Sequence, residues 1–125
     1  MKYFILLVAF HSFSLTAQTD DTFFNALRNS DYNTMESFLQ DNLDFCLFED
    51  QQIMNKKAAL AKLRSFIDAN KPTGIELMHK GTSKDKSTNY KVARLNTSTG
   101  SYRVFIYSVG PIGPKSIKEI RIDRF

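Results

Sequence analysis

The sequence predicts an α+β domain in which helices pack on a curved antiparallel sheet, and three observations carry that prediction. Apolar residues recur at helical spacing in three stretches before residue 70. Pro72 and Gly74 then interrupt the chain. Everything beyond Gly74 alternates between apolar and polar residues in short runs separated by turns. With 125 residues the chain has material for one core rather than two.

The elements follow in order. Asp20 or Asp21 can cap a first short helix whose apolar face is Phe23, Phe24 and Leu27, and Asn29 and Ser30 break it. Asp31 caps a second, with Tyr32, Met35, Phe38 and Leu39 at helical spacing. A strand is expected over residues 43–48 and a turn over residues 49–52. Asn55 caps the longest helix, with Ala59, Leu60, Leu63, Phe66 and Ile67 facing inward and Lys56, Lys57, Lys62 and Arg64 facing water. Pro72 lies beyond its end, where a proline cannot continue the hydrogen-bond ladder. Four strands are expected after it, over residues 75–80, 90–97, 102–109 and 117–124.

The first seventeen residues read as an address. Lys2 supplies a positive start, residues 3–10 are an unbroken apolar run, and Ala17 is a small residue suited to cleavage. The run is about half of the roughly 20 residues a bilayer requires, so no membrane anchor is expected once the signal is cleaved. The expected protein is exported, periplasmic or secreted. Its single domain covers residues 18–125, with 16 Lys+Arg against 13 Asp+Glu and thus a net charge of +3. Cys46 is the only cysteine, which excludes an intrachain disulfide and reads as a small buried apolar residue.

The hairpin around Thr99 and Gly100 decides which side chains face the core. An even loop pairs Leu95 with Val104 and Ala93 with Ile106 on an aliphatic face, extended by Ile120 and Ile122. Val92, Arg94, Asn96, Arg103, Phe105, Tyr107, Glu119, Arg121 and Asp123 then share the other face. Phe105 and Tyr107, ringed by Arg94, Arg103 and Arg121, form the candidate interface, since aromatics and arginine are enriched where proteins meet. The face reads as an ordinary solvated sheet surface on which arginine stems cover the rings, as a homodimer contact, or as a surface for an unknown ligand.

Charge divides along the chain. Residues 18–70 hold five basic and nine acidic residues, a net of −4, and residues 71–125 hold eleven and four, a net of +7. The lysines of the second half are spread over several strands with no nucleic-acid motif beside them, so no nucleic-acid partner is expected.

Catalytic and metal motifs are missing. Beyond the signal there is one histidine, His79, and one cysteine, too few for a zinc site built of these ligands, and no EF-hand spacing or phosphate-binding glycine loop occurs. No cofactor is predicted. His79, read as sharing a strand face with Ile75 and Leu77, and Glu76 are the candidates for a pocket, with Asp44 beside Glu76 as a candidate buried base. They belong to an alternative reading, a small-molecule enzyme or carrier with its pocket between the long helix and the sheet. The preferred reading is a non-enzymatic binding or self-association module.

Residues 24–27 (Phe-Asn-Ala-Leu), Lys57 and Ala58 at the start of the long helix, and Phe66 near its end carry a resemblance. So do His79, Lys80 and Gly81, residues 100–106 (Gly-Ser-Tyr-Arg-Val-Phe-Ile), and Ile120, Arg121 and Ile122. Together they resemble a bacterial family of exported proteins known as a domain of unknown function (four-seven-eight-three). The element order resembles the nuclear transport factor two-like, or cystatin-like, fold. The resemblance implies a cone-shaped sheet around the long helix, often with a pocket and often dimeric. That fold hosts enzymes, ligand carriers and scaffolds alike, so it implies no activity.

Overall fold

The structure is a computed structural model that describes residues 21–125; the predicted signal over residues 1–17 lies outside them. Among the described residues, three helices lie on one six-stranded sheet. They are α1 (Thr22–Arg28), α2 (Tyr32–Phe38) and α3 (Lys56–Ala69); the strands are β1 (Leu39–Leu47), β2 (Asp50–Asn55), β3 (Pro72–Thr82), β4 (Thr88–Thr97), β5 (Gly100–Val109) and β6 (Ile117–Arg124). The α+β class is as predicted.

Local chemistry sets the helix starts. Asp31 accepts from the Thr34 amide at 3.3 Å, and Asn55 accepts from the Ala58 amide at 2.8 Å, so two of the predicted caps are in place. Asp21 sits at the start of α1 but caps nothing with its side chain. Its carboxylate turns instead to Lys91 on β4, with Oδ1 3.3 Å from Nζ. A tertiary ion pair has displaced the local cap.

The sheet order is β2-β1-β6-β5-β4-β3, and it is mixed rather than wholly antiparallel. β1 and β6 run parallel, with Phe45 beside Ile120 and Leu47 beside Ile122. The sequence reading placed a turn where β2 lies. Its residues give no alternation, because β2 is an edge strand whose Ile53 is 81% exposed and whose Met54 is half-buried. β1 also begins earlier than predicted: Leu39 takes extended dihedrals (φ −85°, ψ 143°) directly after α2.

The β4–β5 hairpin keeps the predicted parity with a different register. Leu95 pairs with Tyr102 and Ala93 with Val104, two residues away from the predicted pairing. The connecting residues are Ser98 and Thr99, and Gly100 takes φ +135°, a conformation that favours glycine. The end of α3 fixes this turn: Asn70 Oδ1 accepts from the Thr99 hydroxyl and, at 3.1 Å, from the Tyr102 hydroxyl. A shift of two preserves every side chain's face, whereas a shift of one reverses it.

The core is therefore the predicted one. Leu95, Ile120 and Ile122 are 0% exposed and Val104 1%, packed with Ala59, Leu63, Phe66 and Ile67 of α3. Phe23, Phe24 and Leu27 of α1 and Met35 of α2 complete it. Phe66, Tyr102 and Phe48 close one end as an aromatic cluster with ring centroids 5.1–6.1 Å apart.

Candidate functional site on the outer face of the sheet

The face turned away from the helices is built of cross-strand rows. Directly opposed residues of antiparallel strands share a face, so the register assembles them. One row is Tyr90, Tyr107 and Glu119; the next is Val92, Phe105 and Arg121; a third is Arg94, Arg103 and Asp123. Cys46 of β1 lies beside Arg121. The five predicted interface residues thus fall on one surface.

Four of them line a shallow trough of about 460 Å³: Arg103, Phe105, Tyr107 and Arg121, joined by Glu119 and Asp123. The floor is aromatic and the rim carries both signs of charge. Arg121 Nε donates to Glu119 Oε2 at 2.5 Å, and that bond raises the guanidinium pKa above its ordinary value. Tyr90 stacks on Phe105 with ring centroids 6.0 Å apart and planes 25° apart. Across the β3–β4 ladder a Cβ on Gly81 would collide with the Tyr90 ring, so glycine is what allows tyrosine to lie there.

Arg103 and Arg121 flank Phe105 and Tyr107 as predicted, but Arg94 lies outside the trough. Arg94 and Arg103 place their guanidinium carbons 4.1 and 4.9 Å from the ring centroid of Phe125, which is 46% exposed. The Arg94 Nε is shielded and makes no hydrogen bond; the Glu76 carboxylate is 3.9 Å away. Lys118 rather than an arginine sits over Tyr107, 5.1 Å from the ring centroid. The sequence reading missed Phe125 and Tyr90 as parts of this surface. Tyr90 was legible from strand parity, since it alternates in step with Val92 and Arg94.

Cys46 is buried although it belongs to this face. Its thiol donates to the Phe48 carbonyl at 3.2 Å, and desolvation pushes its pKa up, with the Arg121 charge opposing the shift.

The alternative pocket is not assembled. Ala59, Leu63, Phe66 and Ile67 fill the seam between α3 and the sheet, and Glu76 and His79 are both exposed on edge strand β3. A β-bulge explains the misplacement of His79. Leu77 pairs with Ala93 but His79 pairs with Val92, so one extra residue of β3 intervenes and reverses the parity. His79 therefore shares the outer face with Glu76, not the inner one with Ile75 and Leu77. No group of three or more His, Cys, Asp and Glu side chains that could hold a metal occurs among the described residues. No described helix is long and apolar enough to cross a membrane.

Comparison with known proteins gives the family. The sequence profile of the domain of unknown function DUF4783 matches residues 21–123. The chain belongs to this family. A DUF4783 protein from Bacteroides ovatus ATCC 8483 superposes with a TM-score of 0.73 at 21% identity, over 85% of this chain and 93% of that one. A second, from Bacteroides fragilis YCH46, gives 0.71 at 20% identity, over 80% and 92%. A de novo designed protein with a curved β-sheet gives 0.68 at 11% identity, over 86% and 98%. At these identities the likeness establishes the fold. No curated protein matches the chain.

Proposed function

We propose that this DUF4783 protein is an exported, non-enzymatic interaction module that self-associates through the outer face of its sheet. The observation that carries the reading is the trough of Phe105 and Tyr107, rimmed by Arg103 and Arg121 and by Glu119 and Asp123. A two-fold contact sets the same patch against itself. A rim of one sign would repel its copy, whereas a rim of both signs lets each guanidinium meet a carboxylate across the axis. Export rests on the charge, apolar run and small-residue order of residues 1–17.

Sedimentation equilibrium on the purified protein tests the reading. The wild type is expected to be a dimer, and Phe105→Glu and Tyr107→Glu to be monomers with unchanged circular dichroism. A monomeric wild type, or a dimer indifferent to both substitutions, refutes self-association through this face. N-terminal sequencing of exported material should begin at Gln18.

A further inference from the structure

The sheet has two edges, and they are finished differently. Edge strand β3 starts at Pro72, shifts register between Pro72 and Gly74 and between Leu77 and His79, and exposes Glu76 and Lys80. Proline, bulges and edge charges each discourage another strand from pairing there. Edge strand β2 is open by comparison. Between Gln51 and Asn55 it has no charge, proline or glycine, and its ladder with β1 runs without a bulge. Ile53 stands at its middle, 81% exposed. We infer that β2 pairs antiparallel with β2 of a second copy about a two-fold axis at Ile53, joining two sheets edge to edge.

Parity and symmetry fix the register. Directly opposed residues of an antiparallel pair share a face, so a two-fold contact sets one residue of β2 against its own counterpart. Centred on Ile53, the pairing sets Ile53 against Ile53, Gln51 against Asn55 and Gln52 against Met54. The exposed isoleucine gains an apolar partner. The amides of Gln51 and Asn55 meet each other, and each supplies both donor and acceptor. At either end of the ladder Asp50 of one copy comes opposite Lys56 of the other, with opposite sign. Each also has a partner in its own copy, Asp50 with Lys62 at 3.5 Å and Lys56 with Asp41 at 3.7 Å. The register therefore meets no like-charge opposition, and neither of those ion pairs has to open. Centred on Gln52, Ile53 would face Gln51 and lose its apolar partner; centred on Met54, the ladder would run into α3.

An edge strand leaves alternate backbone N–H and C=O groups open, and the second copy satisfies them. A pairing this short covers less surface than a stable dimer needs, so the contact is weak and forms at higher concentration than the outer-face contact proposed above. The two do not compete: the trough is built on β5 and β6, and β2 is the far edge of the sheet beyond β1.

Cysteine cross-linking in the Phe105→Glu background tests the inference. That background keeps the outer face out of the measurement, so either contact can fail without the other. The thiol of Ile53→Cys faces its counterpart across the axis, within the Cα separation a disulfide bridges, whereas that of Gln51→Cys lies four residues away from its own. On mild oxidation at high protein concentration, Ile53→Cys is expected to form the covalent dimer at least about tenfold faster than Gln51→Cys. Both positions are exposed and the native Cys46 is buried, so exposure alone does not separate the two variants. A second readout needs no added cysteine. Raising the concentration of Phe105→Glu should shift the amide resonances of residues 51–55 and leave those of β3 unchanged. Ile53→Lys, at an exposed position, should abolish these shifts and keep the wild-type circular dichroism. Equal cross-linking by the two cysteine variants, an absence of shifts in residues 51–55, or shifts that survive Ile53→Lys would each overturn it.

Discussion

The two faces of one sheet divide the molecule's labour. Ala93, Leu95, Val104, Ile106, Ile120 and Ile122 are at most 1% exposed on the inner face, while their neighbours one residue along carry rings and both signs of charge. Strand pleating alone separates them, since adjacent side chains point to opposite faces. The inner face is determined by its need to exclude water. The outer face holds aromatic surface that none of the described helices covers, and the proposed self-association rests on that surface.

The sharpest challenge to that comparison is a pair of truncations on one strand. Leu95→Ala, in the core, should cost about 3 kcal/mol of unfolding free energy in urea. Val92→Ala, three residues away on the half-buried outer face, should cost less than about 1 kcal/mol in the monomer. Equal losses would mean that the outer face is a second core. A smaller effect probes what holds the faces in register. Asn70→Ala removes the acceptor shared by Thr99 and Tyr102 and should cost about 1–2 kcal/mol, with exchange protection falling first in the β4–β5 hairpin. Unchanged protection there would show that the turn needs no help from α3.

The smallest effect concerns Cys46, where the comparison blurs, because this outer-face residue is buried. Burial raises its pKa, so the folded state favours the neutral thiol. The resulting stabilisation is fully present below the unfolded thiol pKa and is lost as pH rises through the higher folded value. Alkylation by iodoacetamide at pH 8 should therefore be at least about tenfold slower in the folded protein than in urea. Equal rates would place the thiol on the open surface.

Much of this was legible in the residues. Asp31 and Asn55 announced their helices because a cap is a contact within three residues. The run Lys56–Ala69 announced α3 because its apolar spacing is uninterrupted. The shared face of the proposed interface residues followed from parity, which survives a register shift of two. Their partners did not follow: Phe125 under Arg94 and Arg103, and Tyr90 on Phe105, are meetings across strands. His79 was placed on the wrong strand face because a bulge leaves no mark on an alternating pattern.

By itself the sequence determined the α+β class, the three helices and the sorting of the terminal strands into a dry face and a mixed one, since each depends on local spacing and capping. Tertiary structure alone decided that β2 is a strand, that β1 and β6 run parallel, and that Asp21 serves Lys91 rather than its own helix. These features join residues distant in the chain. Their energies come from pairing partners that no local pattern records.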